Sequence, residues 1–215
     1  QYGSRPLMYG PIYDSKLTAI SKGTPNYKMG EDKYEIYDYS PEYVWGNKML
    51  LPRIWSSDPR HVSLYKSKLG LAEGQVPKMG ENIRFMFSHQ FGHMYGRYFL
   101  WNFWGRASDI EGSSGTSLFE ATSDLPYSLQ SNRGRTNFFA LPLLLGILGM
   151  LYQYFKHDKD FMVMVLLFLL TGLGLVVYLN SPPVEPRERD YIYVGSFYIF
   201  AIWIGLGVMA MAEYV

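Results

Sequence analysis

Three near-uncharged apolar runs follow one another from Phe138 to the last residue, and no other feature restricts the fold of this chain so strongly. The first, 138–155, contains Pro142, Gly146 and Gly149, and the second, 161–180, contains Gly172 and Gly174. The third, 191–215, sets Phe197, Ile199, Phe200, Trp203 and Ile204 beside Gly205, Gly207, Ala210 and Ala212. Each run approaches the roughly 20 residues that cross a hydrocarbon core, and the small residues permit close helix contact. A buried helical core in a soluble protein is the competing account, but three such runs in succession argue against it. The expected architecture is a mainly α membrane protein with about three transmembrane helices in residues 138–215.

Residues 1–137 belong to a different solvent. Charges are spread through them, and Tyr and Trp are frequent. The formal charge of the whole chain is +1, with no basic stripe, which excludes a general nucleic-acid binder. The absence of cysteine excludes a disulfide framework and thiolate chemistry, and leaves the redox compartment open. The chain opens at Gln1 without a methionine or signal peptide and stops at Val215 directly after an apolar run, so a piece of a longer polypeptide is expected.

Orientation follows from two arguments. The turn Lys156-His157-Asp158-Lys159-Asp160 carries two lysines, which the positive-inside tendency places in the cytoplasm. That choice puts residues 1–137 and the loop Ser181 to Asp190 together on the outer, periplasmic face of the inner membrane. Arg187 and Arg189 in that loop nearly balance the charge rule, so the bulk and aromatic composition of the lobe decide the matter.

Within the lobe, turn signals recur at Tyr9-Gly10-Pro11, Gly23-Thr24-Pro25, Met29-Gly30, Ser40-Pro41, Asp58-Pro59 and Met79-Gly80. Between them, Lys33-Tyr34-Glu35-Ile36-Tyr37 alternates as a hairpin strand does. The expectation is an irregular α+β lobe. Residues 81–104 read as one helix rich in Phe, Tyr and Trp, punctuated by Arg84, Arg97 and Arg106 just beyond it. It settles either in the membrane interface or between lobe and spans, and the residues alone do not separate the two. His89, Gln90, His93 and Arg97 argue against its crossing the bilayer. Residues 105–137 read as a loop.

The segment Pro182-Pro183-Val184-Glu185-Pro186-Arg187-Glu188-Arg189-Asp190-Tyr191 carries the most chemistry. Prolines stiffen it and hold Arg187 and Arg189 at the membrane surface, where guanidinium forks grip phosphate oxygens. The same arginines can instead pair with Glu188 and Asp190 or with lipid headgroups. Asp190, Glu185 and Glu188 are the carboxylates available to take a proton from an acceptor hydroxyl. His89 and His93 stand four apart, as two metal ligands on one helix face would, but no third ligand is near and Gln90 replaces the glutamate of a metalloprotease pattern, so no metal is assigned. Gly112-Ser113-Ser114-Gly115 lacks the strand and lysine of a phosphate cradle.

Several stretches together resemble a known family: Arg5 to Gly10, Pro41 to Val44, Leu51-Pro52-Arg53-Ile54-Trp55-Ser56-Ser57, Gly80 to Phe85, Arg97-Tyr98-Phe99-Leu100-Trp101-Asn102-Phe103, Gly105-Arg106, Pro186 to Tyr191 and Gly195 to Gly207. The family is glycosyltransferase family 117, a bacterial membrane family common in Bacteroidetes and similar to the polytopic GT-C enzymes. The resemblance runs from Arg5 to about Val208. It implies transfer of a sugar from a polyprenyl-phosphate donor to a hydroxyl of an exported protein, with this chain as the middle portion of a larger fold. Family members are several times longer, and the acidic residue expected of such enzymes lies in their N-terminal helical block. His89, His93 and Gly96 depart from the family's pattern.

The resulting expectation assigns Arg187 and Arg189 to the donor phosphate. Arg97, Trp101, Trp104, Arg106 and Tyr191 would shape the cavity or lipid path, and Asp190 and Glu188 are the candidate catalytic carboxylates. No cofactor is expected. The expected partners are membrane lipid, the lipid-linked donor, the exported acceptor and other membrane subunits. The alternative is a non-catalytic membrane scaffold whose aromatic lobe docks proteins.

Overall fold

The computed structural model describes residues 7–13, 17–56, 58–110, 112–116, 125–184 and 187–214. The chain divides into two compact units, Gln1–Phe85 and Met86–Val215. This cut differs from the polarity change at Asn137, because residues 86–103 contact the apolar helices that follow.

The first unit combines two antiparallel strand pairs with two helices. Strands β2 (Leu17–Met29) and β3 (Tyr34–Trp45) form a long hairpin with Tyr27 opposite Ile36 and Met29 opposite Tyr34. The chain reverses where the Gly30 N–H donates to the Lys33 carbonyl at 2.9 Å. Register shifts fall around Pro25, where a strand lacks its N–H donor. Strand β1 (Tyr9–Pro11) pairs with β4 (Lys48–Leu50). Helix α1 (Pro59–Leu69) starts where Asp58 accepts from the Arg60 N–H and Pro59 opens the first turn. It ends at Gly70, whose φ of 68° lets the Leu71 N–H return to the Lys66 carbonyl.

Tyr13, Ile54, Tyr65, Leu69 and Phe85, the last from α2 (Met79–Phe85), form the core of this unit. Asn82 is buried at its edge. Its Oδ1 accepts from the Arg53 N–H at 2.7 Å, and its Nδ2 donates to the Leu51 carbonyl at 2.8 Å.

The second unit opens with a π-helical segment, Met86–Gly96, followed by α3 (Arg97–Phe103). The aromatic helix expected over 81–104 is therefore three helical segments. Of these, α3 buries Tyr98, Trp101 and Phe103 and packs on the apolar helices of this unit. The following residues pair briefly as β5 (Gly105–Arg106) and β6 (Thr136–Asn137), with the single turn α4 (Tyr127–Gln130) between them. Residues 117–124 of the expected loop lie outside the described residues.

Helix α5 (Leu141–Lys156) has 16 residues, so it extends about 24 Å against a hydrocarbon thickness of about 30 Å. It starts late because Phe139 and Ala140 take positive φ values, 51° and 56°. The second run becomes α6 (Asp158–Leu169), a π-helical turn at Leu170–Gly174, and α7 (Leu175–Leu179). The third becomes a short 3₁₀ turn, Asp190–Tyr193, and α8 (Val194–Tyr214). Two of these stretches, Asp158–Leu179 and Asp190–Glu213, are helical over enough apolar residues to cross a membrane.

Contacts between these helices are close. A Cβ on Gly149 would enter the Trp203 carbonyl, one on Gly207 would enter the Leu145 carbonyl, and one on Gly146 would meet the Phe200 ring. Phe200 and Trp203 then form an aromatic layer with Phe99, Phe103 and Phe168. Buried polar pairs lock the register. The Trp203 indole donates to Gln153 Oε1 at 2.7 Å, the Tyr95 hydroxyl to Ser196 Oγ at 3.1 Å, and the Gln90 amide to Asn180 Oδ1 at 3.1 Å.

Two substitutions test this packing. Gly149→Val should separate α5 from α8 at a cost of about 1–3 kcal/mol, read as a lower melting temperature in detergent, whereas Gly205→Ala, which meets open space, should be tolerated. Asn82→Ala strands the buried Arg53 N–H and the half-buried Leu51 carbonyl in the first unit, and should cost about 2 kcal/mol by the same measurement.

Candidate functional site

The polar end of the second unit is organised by one carboxylate. Arg97 donates through Nη1 to Glu188 Oε1 at 3.0 Å and through Nη2 to Oε2 at 2.8 Å, a bidentate pair. The Gly112 N–H also donates to Oε1, at 2.7 Å, and the Tyr98 hydroxyl donates to Oε2. The Arg189 N–H closes the network by donating to the Tyr98 oxygen at 3.1 Å. Helix α3, the 105–116 segment and the loop before α8 thus meet at Glu188.

The electrostatics follow from that geometry. Burial pushes the Glu188 carboxyl up, but the Arg97 fork, the Gly112 N–H and the Tyr98 hydroxyl outweigh it and hold the group down to about 2. Burial, aided by the hydrogen bond to Glu188, pushes the Tyr98 hydroxyl up to about 12. An acid so firmly ionised, with both oxygens occupied, is a weak proton acceptor. Glu188, one of the two candidate bases, is placed as a clasp.

The Arg97 guanidinium also lies 4.6 Å from the centre of the Trp101 ring, and that of Arg106 lies 4.0 Å from it. Arg106 Nε is anchored on the Ser108 carbonyl at 2.6 Å. Trp104 sits beyond this stack at the end of α3, its carbonyl accepting from Phe138 N at 3.0 Å. Asp190 is exposed and accepts from the Tyr191 N–H at 3.0 Å at the start of the 3₁₀ turn, while Arg187 reaches the Tyr191 hydroxyl at 3.2 Å. Glu185 and Pro186 lie outside the described residues.

A pocket of about 170 Å³ opens beside the clasp. His89, His93, Arg97, Arg187, Glu188 and Pro183 contribute to its lining. The two imidazoles stack, with centroids 5.2 Å apart and planes 14° from parallel. Of the two arginines assigned to phosphate by sequence, Arg187 lines this pocket. The backbone of Arg189 is tied to Tyr98 instead. Arg97 belongs to the site, and Trp101, Arg106, Trp104 and Tyr191 surround it. Sequence reasoning missed Tyr98 and Gly112, because nothing in their local pattern marks a bond to a residue 90 or 76 positions away. Among the described residues no three His, Cys, Asp or Glu side chains are grouped to hold a metal ion.

The clasp makes a pH-dependent prediction. A carboxyl whose folded value lies below its free value of about 4.3 contributes stability above that value and loses it as pH falls toward 2. Glu188→Gln should therefore lower the melting temperature at pH 7, by a loss of about 2 kcal/mol. The difference from the parent protein should vanish between about pH 4.5 and 2. Arg97→Lys should not substitute for Arg97, since a single ammonium cannot make the fork.

Comparison with known proteins bears on the first unit alone. A family of unknown function (DUF8416) matches residues 3–87, which coincide closely with the compact unit Gln1–Phe85 and exclude every residue of the site. No curated protein and no solved structure matches the chain.

Proposed function

We propose that this chain is the middle portion of a membrane glycosyltransferase that moves a sugar from a polyprenyl-phosphate donor to a hydroxyl of an exported protein. The observation that supports this reading most is the position of the arginine-lined pocket. It lies at the loop between Asp158–Leu179 and Asp190–Glu213, the two helices long and apolar enough to cross a membrane. If those helices span the bilayer, the pocket stands at headgroup depth, where a lipid phosphate presents itself.

Membrane insertion has its own physical support. No α6 side chain is fully buried, and Met162, Val163, Leu166, Leu167 and Leu169, with Leu170 just beyond, are exposed. An apolar surface of that extent is unfavourable in water and favourable in lipid. On this reading α5 is a third, shorter membrane helix, the turn at Lys156 to Asp160 faces the cytoplasm, and the loop 181–190 faces the periplasm. The family resemblance of the Arg97 to Phe103 and Pro186 to Tyr191 stretches points to the same chemistry.

In such a transfer the lipid phosphate is the leaving group and gains negative charge in the transition state. Arginines aimed at it stabilise that state more than the ground state. Arg187 supplies one such charge at the pocket wall, and Arg189 and Arg106 add positive field nearby. The Arg97–Glu188 clasp positions this loop and takes no proton. Asp190, exposed at the start of the last helix, remains the carboxylate free to face an acceptor.

Membranes of cells producing the protein should transfer labelled sugar from a polyprenyl-phosphate donor to exported protein, and Arg187→Ala with Arg189→Ala should lower the rate by about 100-fold or more. The protein should stay in the membrane after alkaline carbonate washing in both forms. Unchanged transfer in the double variant would overturn the assignment of the arginines. Absence of transfer in any membrane would favour the scaffold alternative.

A further inference from the structure

We infer that His89 and His93 are phosphate-binding residues, and that with Arg187 they build a small oxyanion subsite at the head of the apolar helices. The inference rests on the transferase reading only for the identity of the natural ligand. Residues 89, 93 and 97 follow one another at four-residue intervals along the π-helical segment and into α3, so their side chains share one flank of the helical run. All three line the pocket.

Charge decides what that pocket can hold. Arg97 and Arg187 bring two positive charges and Glu188 one negative, and the Glu188 charge is consumed by its bidentate pair with Arg97. What remains at the lining is the Arg187 guanidinium and the two imidazole rings. The two imidazoles stack 5.2 Å apart in a pocket also lined by two guanidinium groups, so an anion at their edge lies in a positive field.

Size narrows the ligand further. A volume of about 170 Å³ falls below the roughly 300–1,000 Å³ of sites that enclose a drug-sized molecule. It is ample for a phosphate group. Pro182, Pro183 and Val184 also line the pocket and supply apolar contact in place of further donors. The chemistry is that of a phosphate monoester or diester, whether free or carried on a lipid.

The test is calorimetric titration of the full chain in detergent with inorganic phosphate, farnesyl phosphate and farnesol. We expect both phosphates to bind and farnesol not to. Tighter binding of farnesyl phosphate would identify a lipid source, and equal binding a free phosphate. His93→Ala, at an exposed position, and Arg187→Gln should each weaken phosphate binding by about ten-fold, with the melting temperature unchanged. His89 is buried, so His89→Gln is read only if its melting curve matches the parent. Phosphate affinity untouched by His93→Ala, or no phosphate binding by the parent protein, would overturn the inference. Sugar transfer is read separately. Binding that depends on His93 without any transfer would keep this subsite and remove the transferase reading, and transfer with His93-independent binding would do the reverse.

Discussion

The Arg97–Glu188 ion pair is the contact on which the polar end of the second unit depends. It joins residues 91 positions apart, and through Gly112 and Tyr98 the same carboxylate gathers a third segment. Removing a carboxylate and a guanidinium from water is unfavourable, and the cost is offset only where every lone pair finds a donor. Glu188 meets that condition with four. The clasp then fixes where its neighbours point. Arg187 and Arg189 flank Glu188 in the chain, and His93 and Trp101 lie one turn on either side of Arg97, so the pocket wall and the cation–π stack inherit their positions from one bond.

Below that end the helices are held by a different kind of force. Lipid competes equally well for apolar side chains, so helix association in a bilayer relies on close approach and on polar pairs. Gly146 and Gly149 on α5 and Gly207 on α8 permit that approach, and Gln153–Trp203, Tyr95–Ser196 and Gln90–Asn180 supply the pairs. The outer faces, left apolar and exposed, match a lipid environment, and the glycines explain why the inner faces tolerate so little extra volume.

Much of this architecture was legible in the residues. The three apolar runs announced helices because polar residues are absent over long stretches, and the alternation around Tyr34 to Tyr37 announced a strand. The late start of α5 was not legible, since the positive φ there falls on Phe139 and Ala140, neither of them a glycine. The π-helical segment at Met86–Gly96 was also hidden, because its composition is that of an ordinary aromatic helix. At the site, Arg187, expected at the donor phosphate, and Arg97, expected at the cavity, both line the pocket, as do His89 and His93, which the residues alone offered only as metal ligands or polar interface residues.

The turns expected at Gly10-Pro11, Gly23 to Pro25, Ser40-Pro41 and Met79-Gly80 lie instead within strands or a helix. The sequence by itself determined which segments avoid water, the reversal at Gly30, the helix start at Asp58-Pro59, and which arginines cluster near the ends of the apolar runs. These are local properties, set by hydropathy, glycine, proline and charge within a few residues. Only the tertiary structure decided that Glu188 belongs to Arg97 and Tyr98, that the Arg189 N–H turns to Tyr98 while Arg187 lines the pocket, and that two histidines stack at its wall. The clasp depends on pairings across 76 to 91 residues, and a pairing of that range leaves no periodic trace in the chain that makes it.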